Sequence, residues 1–98
     1  MTDKTSNPKT IWIVSERGPD TSSILYVCIS ESVALQKWNE LREEMIEHNR
    51  RMVEYILSQG LAPISCRRHM EELQKLKPGE ECCFGYPNIR EWGVIEHV

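Results

Sequence analysis

The chain has 98 residues, 40% of them hydrophobic and 28% charged, with a formal net charge of −3. That length allows a single core, the composition excludes disorder of the chain as a whole, and the negative balance argues against binding to nucleic acid backbones or acidic membranes. No stretch approaches the roughly 18 consecutive apolar residues of a membrane span, and the polar N-terminus lacks the apolar region of a secretory signal, so the expected location is the cytoplasm.

Residues 1–9, MTDKTSNPK, read as a flexible tail, and residues 10–98 as one domain. Thr10 to Ser15, TIWIVS, is continuously apolar and β-branched and predicts a strand. Gly18, Pro19 and Asp20 then concentrate turn chemistry. Ile24 to Ile29, ILYVCI, predicts a second strand, and the short polar connection makes an antiparallel hairpin the simplest pairing.

A long helix is expected next. Ser30 is placed to cap its first turn and Glu31 to favour the positive end of its dipole, while no Gly or Pro interrupts the chain before Gln59. Gly60 supplies a left-handed stop and Pro63 prevents resumption. Ala34, Trp38, Leu41 and Met45 share one face; EHNRR at 47–51 breaks the stripe, and Met52, Val53, Tyr55, Ile56 and Leu57 restore apolar character. A helix over 31–59 is about 44 Å long, whereas a six-residue strand spans about 20 Å, so the helix must overshoot its sheet, and either its distal half finds other cover or the helix bends near the polar break.

Ser65 to Lys77 predicts a second helix, capped by Ser65, ended by Pro78-Gly79, and apolar along Cys66, Met70, Leu73 and Leu76. It is expected to fold back on the first as an αα-hairpin. Gly85, Tyr86, Pro87 and Asn88 read as a turn. Arg90 to Val98 reads as a last strand beside the first, with Trp92 and Val94 on one face, Ile95 on the other, and Gly93 weakening it or marking a bulge or a close backbone approach. The fold class is therefore α+β: a three-stranded antiparallel sheet packed by one long helix, in the order ββααβ.

The two apolar strands, the helix start SESVA at 30–34 and the terminal Trp92-Gly93-Val94 together resemble small ββαβ proteins of bacteriophages and mobile elements. The resemblance covers the two ends of the chain; the long second half of the helix departs from it. It implies a phage or bacterial accessory protein without catalytic residues, working in the bacterial host cell, and suggests inhibition of a bacterial defence enzyme by covering part of its surface.

Chemistry-bearing residues are few. The chain has four cysteines and no secretory context, so Cys28, Cys66, Cys82 and Cys83 are expected as thiols. Cys66, His69, Cys82 and Cys83 match the ligand types of a Cys3His zinc site, but vicinal cysteines point in different directions, and recurrent knuckles use C-x2-C or C-x4-C. The alternative is packing of ECCFGYP, residues 81–87, at the rim of the core, with His69 solvated. A catalytic thiol at Cys66 lacks an identifiable base among His48, His69 and His97. Glu40, Glu43, Glu44 and Glu47 form an acidic helix stripe, a solvated face or a surface for a basic partner. Arg50, Arg51, Arg67 and Arg68 form a weak candidate anion site if the helices pack antiparallel. No Gly-rich phosphate loop or G-x-S-x-G occurs.

The strands are apolar on both faces, yet one helix covers one face. A second apolar surplus lies at Met52, Tyr55 and Ile56. The expected function is therefore a non-catalytic protein-interaction module without cofactor, homodimeric, using the acidic stripe and the distal end of the long helix. A zinc-stabilised or nucleic-acid-binding accessory module is the alternative.

Overall fold

The computed structural model describes residues 10–19, 22–82 and 84–93. The tail at 1–9, Asp20 of the expected turn, Cys83, and Val94, Ile95 and His97 of the expected last strand lie outside the described residues. The elements are β1 (Thr10–Arg17), β2 (Ser22–Cys28), α1 (Glu31–Ser58), α2 (Ile64–Lys75) and β3 (Tyr86–Gly93). The strands form one antiparallel sheet in the order β2-β1-β3, an α+β fold with the last strand beside the first.

β1 pairs with β3 without interruption from Thr10↔Gly93 to Arg17↔Tyr86. Among the described pairs, Gly93 therefore marks no bulge. The irregularity lies instead between Val14 and Ser15, where β1 pairs with Tyr26 and then Ile24 of β2, leaving Leu25 as the extra residue. Nor do Tyr86, Pro87 and Asn88 form a turn; they begin β3. Pro87 is tolerated because β3 is an edge strand, so only one of its sides must supply ladder hydrogen bonds.

α1 is unbroken over its 28 residues. Ser30 is extended and its Oγ accepts from the Val33 amide at 3.5 Å. At the other end Leu61 N–H donates to the Ile56 carbonyl and Gly60 N–H to that of Leu57, with Gly60 at φ +76°. These two bonds are the Schellman pattern, in which a left-handed residue lets the chain turn back over the last carbonyls. α2 departs from expectation at its start: Ser65 lies inside the first turn, the N-cap is Pro63, and no side chain caps it. Its exit is a type II turn in outline, with Pro78 and Gly79 central, Gly79 at φ +94°, and Glu80 N–H donating to Lys77 O at 3.0 Å.

Val14 from the sheet, Ala34, Trp38, Leu41 and Ile46 from α1, Leu73 and Leu76 from the α2 end, and Cys28 make the core. The stripe thus ends on buried Ile46, one residue beyond Met45, which is only partly buried. Trp12, Cys82, Tyr86 and Ile89 pack around the core. α2 folds back along the middle of α1, as the hairpin expectation requires: the Arg42 guanidinium bonds the Leu73 carbonyl at 3.1 Å while lying 5.8 Å from the Trp38 ring.

Candidate interaction surfaces

A cleft of about 330 Å3 opens where α1, α2, the end of β1 and the turn before β3 meet, lined by Glu16, Glu44, His48, Asn49, His69 and Gly85 among others. His69 occupies the junction, and the expectation that it is solvated is corrected. Asn49, inside the polar 47–51 break, is 7% exposed. Its Nδ2 donates to Met45 O at 3.0 Å and lies 3.1 Å from His69 Nδ1, while His69 Nε2 lies 2.6 Å from Gly85 O. A carbonyl can only accept, so Nε2 carries the proton and Nδ1 accepts from Asn49. Phe84 stacks at 5.1 Å on the same imidazole.

Both ring nitrogens of His69 are thus committed to structure, which leaves it neither a free base nor a free ligand. Cys66, His69 and Cys82 do not gather into a metal-holding group; no cluster of three His, Cys, Asp or Glu does so among the described residues. Cys83, the fourth residue of the Cys3His reading, lies outside the described residues. Cys82 turns its thiol toward the Phe84 and Gly85 carbonyls, at 3.4 and 3.8 Å, as rim packing requires.

The acidic stripe lies on the exposed side of α1 and is largely neutralised by its own helix. Glu40 meets Lys37 at 3.6 Å, Glu43 meets Arg42 at 2.8 Å, and Glu47 meets both Arg50 and Arg51. Glu44 makes no ion pair among the described residues and borders the cleft. The basic pairs are likewise occupied locally: Arg50 and Arg51 by Glu47, and Arg68 by Glu72 at 3.5 Å. All four arginines are exposed, and exposed pairs of this kind contribute a few tenths of a kcal/mol each.

Among the described residues, two apolar regions stand open. At the hairpin tip Tyr55 is 61% exposed, Leu57 49%, Leu61 63% and Ile64 74%. Met52 and Ile56, expected in a binding surface, are half-buried beside them. Leu61 and Ile64 escaped sequence analysis because Leu61 lies in the connection and Ile64 is the first residue of α2, one position before the expected helix start. Gln59-Gly60-Leu61 was the available signal, since a Schellman turn puts an apolar residue just after its glycine.

The second region is β2, where Ile24 and Val27 are more than 60% exposed and Leu25 and Tyr26 at least 40%. α1 covers the sheet face carrying Trp12 and Val14, and Lys37 lies 5.1 Å over the Tyr26 ring on that side. By strand alternation Ile11, Ile13, Val27 and Trp92 share the other face. No described element packs on it.

No described helix is long and apolar enough to cross a membrane. Comparison with known proteins finds no matching family model, no similar curated protein and no matching solved structure.

Proposed function

We propose that this chain is a non-catalytic protein-binding module whose partner docks on the tip of the α1–α2 hairpin. The observation that carries the reading is the cluster of four large apolar side chains, Tyr55, Leu57, Leu61 and Ile64, open to water at one end of the molecule. Single exposed apolar residues are ordinary, but four large ones within residues 55–64, with exposed charges beside them in the chain, are the composition of a docking surface. Those charges are Arg51, Glu54 and Arg67, all exposed. The neutralised stripe at Glu40, Glu43 and Glu47 would orient a partner rather than anchor it.

The cleft at His69 supports this non-catalytic reading, because its imidazole holds two elements together instead of facing a substrate. The resemblance to small phage proteins directs the search for the partner to bacterial defence enzymes, which the module would inhibit by covering their surface. The test is capture from bacterial lysate with wild type and with a Leu57→Ser, Leu61→Ser, Ile64→Ser variant of matched circular dichroism. A protein retained by wild type and lost by the variant supports the tip. Identical captured proteins with both reject it.

A further inference from the structure

We infer that two copies of this chain pair through the outer edge of β2, extending two three-stranded sheets into one of six strands.

The two edges of the sheet are built differently. β3, YPNIREWG, carries Pro87 and the exposed charges Arg90 and Glu91, devices that discourage another strand from adding to an edge. β2, SSILYVC, has neither proline nor charge, and no described strand pairs with its outer side. Its unpaired main-chain groups can be satisfied by water or by another strand. Of these, only a strand also covers the apolar side chains flanking them.

A second copy fits this edge for two reasons. Antiparallel pairing about a two-fold axis sets β2 against itself, and a segment with no charge meets no like-charge repulsion there although the chain carries −3. Strand addition also matches what the edge offers. Ile24, Leu25, Tyr26 and Val27 are between 40% and 64% exposed. Main-chain hydrogen bonds to the added strand supply the affinity, and the neighbouring apolar side chains supply the cover. The hairpin tip lies at the far end of an α1 that is about 42 Å long. Pairing at β2 therefore leaves both tips open and makes the assembly bivalent.

Sedimentation equilibrium of the full chain over a wide concentration range tests the pairing. Wild type should show a concentration-dependent monomer–dimer equilibrium, weakened at least tenfold by Ile24→Lys with Val27→Lys and unchanged by Trp92→Lys. Amide exchange on wild type gives a second readout that needs no variant: β2 amides should gain protection as concentration rises, and β3 amides should not. Three results overturn the inference. A monomer at every concentration excludes the pairing. Loss of the dimer on Trp92→Lys but not on the β2 substitutions points to face-to-face packing. Concentration-independent protection of the β2 edge in a monomer means that another segment of the same chain occupies it.

Discussion

The indole N–H of Trp38 donates to the carbonyl of Pro87 at 2.9 Å, joining the middle of α1 to the start of β3. Trp38 is 3% exposed and Pro87 fully buried. The bond therefore satisfies a donor and an acceptor that water cannot reach. It also explains how a proline sits in this sheet: the residue that donates nothing to the ladder supplies the acceptor that fixes the helix over it.

Trp38→Phe should therefore be more costly than its change in volume implies. An unsatisfied buried carbonyl costs about 1–3 kcal/mol, and loss of the larger ring adds to it. Trp92→Phe, at a half-exposed site, should fall within about 0.5 kcal/mol of wild type. Urea unfolding midpoints of the two variants decide the matter. Equal midpoints would remove the bond from the account.

Asn49 and His69 should behave as one unit. Asn49 spends its amide hydrogens on Met45 O and His69 Nδ1, and His69 spends its own on Gly85 O. Asn49→Ala and His69→Ala are each expected to cost about 1–3 kcal/mol. The double variant should lose less than the sum, with a coupling of about 0.5–2 kcal/mol. Additive losses in chemical denaturation would show that the hydrogen bond between them contributes nothing.

At Gly60 the cost should be purely conformational. A Cβ added there would meet nothing within 4 Å, but φ is +76°. Gly60→Ala is expected to lose about 1 kcal/mol, a shift of about 4–8 °C in the melting temperature of a domain this size, and Gly60→Asn less because Asn tolerates the left-handed region. If Ala and Asn proved equal, the Schellman turn would not be limiting stability.

Charge reversal separates the acidic stripe from the hairpin tip. Replacing Glu40, Glu43 and Glu47 by Lys removes the pairs with Lys37, Arg42, Arg50 and Arg51 and creates like-charge neighbours. Stability should fall by about 1–2 kcal/mol at low salt and by less at high salt. Glu44→Lys breaks no such pair. It should leave both stability and partner capture unchanged, whereas Ile64→Ser should weaken capture. Loss of capture with Glu44→Lys alone would move the docking site from the tip to the stripe.

Sequence by itself determined whatever depends on a few neighbouring residues: the Ser30 cap, the uninterrupted α1, the Gly60 stop, the Pro78-Gly79 turn and two β-branched strands. Capping, left-handed glycine and side-chain period act over one or two turns, so they are visible in a short window. The surplus of apolar surface was legible as well, because it needs only a count of faces against covers. Tertiary structure alone decided that Asn49 faces inward, since what matters there is an acceptor supplied 20 residues later by α2. It likewise decided that Pro87 belongs in a strand, because Trp38 reaches it from 49 residues away. The asymmetry of the two sheet edges needed the strand order too, for a strand's outer side has no meaning until its neighbours are known.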